Sequence, residues 1–277
     1  RRMGASRGVR QACALGERAL PPAGTVLRQA RKVTERFGVL VGNNAVSMDV
    51  KAGEVHALIG PNGAGKSTFF NMISGVDDAT EGEVRLMDQA MLRRPSRAFA
   101  RLGMARTFQH VRLFKEMTAV ENLLVAQHMH LNTNFLAGLL KTPGFRRSER
   151  EAMQLAAYWL EQVDLLDVAN RPAGTLAYGQ QRRLEIARCM MTKPGLLMLD
   201  EPAAGLNPKE TDDLKALISL LRDQHAVSVL LIEHDMKLVM SISDHIYVIN
   251  QGTPLANGTP EEIRNNPDVI KAYLGEA

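Results

Sequence analysis

The stretch "GPNGAGKST", Gly60 to Thr68, constrains this chain more than any other. It satisfies G-x-x-x-x-G-K-[ST], with the apolar run "VHALIG" (55 to 60) before it and a helical pattern after it. A glycine-rich turn in that setting lets backbone N–H groups face inward around a phosphate, and the dipole of the following helix adds to the attraction. Gly60, Pro61, Asn62, Gly63, Ala64, Gly65, Lys66, Ser67 and Thr68 are therefore read together as a phosphate cradle. Lys66 is expected to reach the β- and γ-phosphates of ATP, and the Ser67 hydroxyl to ligate Mg²⁺.

The rest of the chain supplies the sheet that such a loop needs. Short apolar runs recur at "MARTFQ" (104 to 109), "GLLMLD" (195 to 200), "VSVLLIE" (227 to 233) and "HIYVIN" (245 to 250), with helices expected after the 55–60, 195–200 and 227–233 runs. That rhythm predicts an α/β domain with a largely parallel, buried sheet. Between Gln109 and Leu176 the strand signals stop. Thr118 with Glu121 and Ser148 with Glu151 both match the S/T-x-x-E capping box and predict two helix starts. Ala152, Leu155, Trp159 and Val163 share one helical face and read as packing. "LLKTPGFRRSE" (139 to 149) reads as a basic surface loop.

Further candidates gain meaning from the cradle. "LLMLDE" puts Asp200 and Glu201 at the C-terminal end of a buried strand, where α/β sheets hold their ligands. Asp200 is expected in the Mg²⁺ shell, and Glu201 is placed to polarise an attacking water. Gln109 closes "MARTFQ" and could link the γ-phosphate or Mg²⁺ to the helical insert. His234 ends "LLIEH" in the corresponding place on a neighbouring strand, where an imidazole could contact the γ-phosphate. His128 and His130 have no such company and are assigned to surface or packing.

Charge and cysteine content narrow the class. Residues 1–32 hold eight Arg and Lys against Glu17 alone, a net +7, so the remainder carries −3 and the overall +4 says nothing about nucleic-acid binding by the body. Residues 1–30 are assigned to a basic extension. Its Arg-rich, acid-poor composition has something of an organelle transit peptide, but with Arg in first place a fragment or misplaced start is the plainer expectation. Cys13 and Cys189 lack paired spacing and read as free thiols of a reducing compartment. No run of 18 apolar residues occurs.

"GPNGAGKST", Gln109, "LAYGQQRR" (176 to 183), "LLMLDEP", "AGLNP" and "LLIEH", in this order, resemble the nucleotide-binding subunits of ATP-binding cassette (ABC) transporters. "LAYGQQRRLEIARCM", "AAGLNPKET" with "IEHDMKLVM", and "QGTPLANGTPEEIRNNPDVIKAYLGEA" make the chain most similar to the ATPase subunits of branched-chain amino acid importers. The resemblance runs from about Val33 to the C-terminus. It implies a P-loop NTPase, RecA-like core (31–110 and 181–277), a small antiparallel β subdomain, and an inserted helical subdomain (111–180) ending in the signature motif. It also implies a head-to-tail pair of cassettes with ATP between them, two transmembrane permease subunits, an indirectly coupled solute-binding protein, and a peripheral place on the cytoplasmic face of the membrane. Phe37 stands where the family has its adenine-stacking aromatic. Ala177, Tyr178, Gly179 and Gln180 stand where the family signature meets the partner's γ-phosphate.

Two departures from the family pattern matter. Ala177 and Tyr178 replace the usual serine and first glycine of the signature, leaving Gly179 and a helix N-terminus to meet the anion. Asn207 stands where many members have aspartate, and with Pro208 and Glu210 it predicts a well-capped helix start. A soluble cassette protein acting on nucleic acid or the ribosome is a second reading; the single cassette, the absence of sustained heptads and the −3 body count against it. A P-loop kinase leaves Gln109, the signature and His234 unexplained. Cargo rests on the subgroup resemblance, with urea, an amide or an exporter role as the other readings.

Overall fold

The computed structural model of the chain describes residues 21–37, 40–128 and 143–274, and of residues 37, 40, 41, 128, 143–145 and 274 the backbone alone. Its described residues divide into two compact units, one formed by 21–109 and 194–274, the other by 110–128 and 143–193.

The larger unit holds two sheets. In the first, β1 (Val26–Phe37), β2 (Leu40–Lys51), β4 (Glu81–Leu86) and β5 (Gln89–Ala90) form an antiparallel sheet ordered β2-β1-β4-β5. β1 opens at Val26, inside the stretch that charge alone marked as extension. Leu27, Ala30 and Val33 are buried there, and two of the supposed tail charges belong to the fold. Arg28 is buried against the Phe99 ring and the Met104 sulfur, its pKa lowered to about 9 by desolvation. Arg31 pairs with Asp49 at 2.6 Å across the β1–β2 ladder.

The second sheet is ordered β10-β9-β3-β8-β7-β6, from β3 (Val55–Ile59), β6 (Met104–Arg106), β7 (Leu196–Asp200), β8 (Ser228–Ile232), β9 (His245–Asn250) and β10 (Thr253–Gly258). All its pairings are parallel except β9–β10. β3, β7 and β8 are buried at every residue, which is why their sequences are unbroken apolar runs instead of alternating ones. Helices α1 (Lys66–Ser74), α6 (Pro208–His225) and α7 (Met236–Ile242) follow β3, β7 and β8, as their periodicity predicted. α2 (Ser96–Arg101), α8 (Pro260–Arg264) and α9 (Pro267–Leu274) complete this unit. Asn207 caps α6: its side chain accepts from the Glu210 N–H, and Glu210 accepts from the Asn207 N–H at 3.0 Å.

The smaller unit is helical, with α3 (Ala119–His128), α4 (Pro143–Gln162) and α5 (Tyr178–Met190). The Thr118–Glu121 box forms: Glu121 Oε2 accepts from the Thr118 N–H and hydroxyl. The second expected start is corrected. α4 is already helical from Pro143, so Ser148 is inside the helix, and Glu151 pairs with Arg147 one turn back at 2.9 Å. An S-x-x-E pattern can occur in any turn and need not mark a helix start. The same helix takes up residues 143–149 of the expected basic loop; residues 139–142 lie outside the described set. Ala152, Leu155, Trp159 and Val163 are all buried, as their spacing implied. Among the described residues Cys189 forms no disulfide; Cys13, His130 and the His128 side chain lie outside the described residues.

Candidate nucleotide site

The 60–68 loop joins β3 to α1 and is shaped by close backbone contacts. Gly60 is buried with φ +156°, and a Cβ there would sit 2.1 Å from the Ile249 carbonyl oxygen. Gly65, the N-cap of α1, is left-handed at φ +90°, and its Cβ would meet the Gly42 oxygen at 2.8 Å. Neither position has room for a larger residue. The first turn of α1 holds no acidic side chain and no side-chain cap, so its N–H groups point to whatever lies in the loop. The Lys66 ammonium lies over the loop, donating to the Gly60 oxygen at 2.7 Å and the Pro61 oxygen at 2.9 Å. Burial lowers its pKa, opposed by the nearby Glu201 carboxylate. Ser67 is exposed and Thr68 half-buried in the same turn.

Two carboxylates stand at the end of β7. Asp200 is buried and paired with Arg106 of β6 at 3.0 Å. The same guanidinium donates to Asn71 Oδ1 at 2.7 Å and to the Ser74 hydroxyl, both on α1, and lies between the Phe70 and Phe108 rings at 4.9 and 5.2 Å. Arg106 thus ties the Asp200 strand end to the helix that follows the 60–68 loop. Glu201 has left-handed backbone, φ +46°, unusual for a non-glycine and a sign of a locally forced turn. Its N–H donates to the Ile232 oxygen at 3.0 Å, and its Oε2 accepts from Gln109 Nε2 at 3.0 Å.

His234 follows β8 with a largely exposed ring, 61% accessible, and its Nδ1 is 3.9 Å from Glu233 Oε2. Glu233 is buried, and desolvation raises its pKa against the pull of three backbone N–H donors. Two of these are Ala203, at 2.6 Å, and His234, at 3.1 Å. One side chain therefore joins the loop after Glu201 to the base of His234. Arg106 and Glu233 went unnoticed in the sequence; the available signal was a charged residue at or just past the end of a buried apolar strand.

β3, β8 and β7 are consecutive in the sheet, so Lys66, His234, Asp200 and Glu201 emerge along one C-terminal edge, with Gln109 bonded to Glu201. Phe37 is the last residue of β1; its side chain is outside the described set. Ala177, Tyr178, Gly179 and Gln180 belong to the smaller unit, where Ala177 caps α5. Half a capping box forms: Gln180 Oε1 accepts from the Ala177 N–H at 3.1 Å, but Ala177 has no oxygen to offer in return. Gly179 is buried, Tyr178 is 44% exposed, and the Arg182 guanidinium lies 5.7 Å from the Tyr178 ring centre.

Residues 43–204 match the sequence profile of a family described as "ABC transporter", and residues 253–277 match one described as "Branched-chain amino acid ATP-binding cassette transporter". The chain is 71% identical over 245 residues to the "High-affinity branched-chain amino acid transport ATP-binding protein BraF" of Pseudomonas aeruginosa, covering 88% of this chain and 96% of that relative. It is 63% identical over 242 residues to the corresponding protein LivG of Escherichia coli, covering 87% and 95%. A crystal structure of the ADP conformation of an ATP-binding cassette of an ABC transporter superposes with a TM-score of 0.79 at 32% identity, covering 91% of this chain and all of that one.

Proposed function

This chain belongs to the ABC transporter family of ATP-binding subunits, and from that premise we propose how its residues hydrolyse ATP to energise a high-affinity branched-chain amino acid transporter. The observation that carries the mechanism is the row of Lys66, His234, Asp200 and Glu201 along one sheet edge. Lys66 holds carbonyl oxygens of its own loop; the more highly charged oxygens of a triphosphate outcompete them for the ammonium. Loop and helix N–H groups receive the remaining phosphate charge. Glu201, oriented by the Gln109 amide, polarises a water for in-line attack on the γ-phosphorus. His234, carried on a backbone that Glu233 holds, contacts the γ-phosphate side of that water.

The Ser67 hydroxyl, the Asp200 carboxylate and the Gln109 amide oxygen are hard oxygen donors of the kind Mg²⁺ takes. A bound Mg²⁺ would neutralise charge on the β- and γ-phosphate oxygens. Phe37 offers a π face for the adenine ring.

The partners are a second cassette, two permease subunits and, through them, a solute-binding protein. No described helix is long and apolar enough to cross a membrane, and the proposed place is peripheral, on the cytoplasmic face. The names of the relatives support the cargo. The test is to co-purify the membrane partners and measure ATPase stimulation by a panel of solutes with their binding protein. Leucine, isoleucine and valine should stimulate; stimulation by urea or an amide alone overturns the cargo.

At the signature, Ala177→Ser should tighten ATP-dependent pairing of cassettes by roughly two- to tenfold, the worth of one added hydrogen bond. The hydroxyl would also complete the half-formed box at α5, so the melting temperature of the single cassette should rise as well. Dimerisation measured by sedimentation, beside that melting temperature, separates the two effects. Unchanged dimerisation means that the α5 backbone N–H groups already suffice.

A further inference from the structure

Within the smaller unit, residues 111–114 form neither helix nor strand, yet the backbone from Arg112 to Met117 is bound to the chain on both sides of the signature. From the turn before the signature, the Gly174 N–H donates to the Lys115 oxygen at 2.9 Å and the Ala173 N–H to the Met117 oxygen at 2.8 Å. From α5, after it, Glu185 Oε1 accepts from the Arg112 N–H at 3.0 Å. Asn122 of α3 is buried and completes the hold: its Oδ1 accepts from the Phe114 N–H at 2.9 Å, and its Nδ2 donates to the Phe114 oxygen at 3.0 Å.

We propose that Glu185 is a positioning residue for the signature: its buried carboxylate ties α5 to the 112–117 segment and so fixes the direction in which Ala177, Tyr178, Gly179 and Gln180 face a partner's nucleotide. The inference rests on the reading of those four residues as the γ-phosphate contact. Arg182, one turn earlier on α5, is buried and pairs with Glu185 Oε2 at 3.3 Å, and its guanidinium stands 5.7 Å from the Tyr178 ring centre. Tyr178, Arg182, Glu185 and the Arg112 N–H therefore form one continuous chain of contacts. Burial pushes the Glu185 carboxyl above the usual carboxylate range, against the pull of the Arg112 N–H and the Arg182 charge. Burying such a pair is costly, and apolar side chains of similar volume would often be as stable in its place. They would not accept from the Arg112 N–H, a contact that reaches off the helix and has a defined distance and angle. Without that acceptor α5 keeps its own hydrogen bonds, but its angle to the segment is left to packing alone. A helix N-terminus meets an anion through N–H groups that point at it, so a small tilt of α5 is felt at the signature.

The experiment measures ATP turnover by the full chain assembled with its partner cassette and permease subunits, and binding of a fluorescent ADP analogue with Mg²⁺ by the full chain alone. Glu185→Met by itself leaves the Arg182 cation buried without its carboxylate and can unfold the chain. The comparison is therefore between two double variants, Arg182→Met with Glu185→Gln and Arg182→Met with Glu185→Met. Neither buries a lone charge from this pair, and they differ in whether the Arg112 N–H has an acceptor. Turnover should be lower in the second by roughly two- to tenfold, the worth of one hydrogen bond, with ADP-analogue binding equal in both. Equal turnover overturns the proposal. A parallel loss of ADP-analogue binding in the second overturns it too, since the damage would then lie in the fold as a whole. Gly179→Asp reports on the signature separately: it sets a carboxylate where the reading puts a phosphate, and should stop turnover while sparing ADP-analogue binding. If it turns over ATP as wild type does, the signature reading fails; if it is inactive while the two double variants are equal, only the role of Glu185 fails.

Discussion

Glu201→Gln should lower ATP turnover by roughly a hundredfold or more while nucleotide affinity stays within a few-fold of wild type, the range expected when a general base is lost. Glutamine keeps the size of the side chain and can still meet Gln109 through its amide oxygen, so the local geometry survives. The amide cannot draw a proton from water, so the attacking oxygen is no longer polarised. The bond from the Glu201 N–H to the Ile232 oxygen is made by backbone alone and survives the substitution. Single-turnover phosphate release, measured with binding of a fluorescent ATP analogue, checks this. Wild-type phosphate release by the variant would remove Glu201 from the role. A parallel loss of binding would instead mean that the carboxylate acts through Lys66, whose ammonium it helps to stabilise.

Arg106→Ala should be the most damaging change to stability, costing about 3–5 kcal/mol, because it leaves the buried Asp200 carboxylate without its cation. Against a typical total of about 5–15 kcal/mol that is a large share. The guanidinium also bridges Asn71 and Ser74 and fills the space between two phenylalanine rings, so the loss combines charge, hydrogen bonding and packing. Arg106→Lys should fall between the two, since one ammonium cannot reach Asp200, Asn71 and Ser74 with the fork geometry of arginine. Urea unfolding of the three proteins measures the series. An Arg106→Ala variant as stable as wild type would show that Asp200 does not depend on this partner.

The features legible in the sequence are those whose physics is complete within a few neighbouring residues. The strand, tight glycine loop and helix start of residues 55–74 could be read because they are contiguous. Asn207 was read as a cap because its partner Glu210 is three residues away. Where a local pattern was ambiguous, reading failed: Ser148 and Glu151 match a helix start, yet Arg147 engages Glu151 inside a helix that is already formed at Pro143. The basic N-terminal stretch hid the beginning of β1, because Arg31 gains its meaning from Asp49 on the next strand and Arg28 from a buried ring 71 positions away.

Sequence alone thus determined which groups are proposed to meet a nucleotide: the loop amides, Lys66, Ser67, the carboxylate pair and His234. Tertiary structure decided what holds them. Arg106 meets Asp200 across 94 positions, and Glu233 joins Ala203 to His234. The division has a physical cause. A turn or a cap is specified by chain connectivity and backbone geometry, whereas a buried charge or N–H can be satisfied by whichever element the fold packs against it.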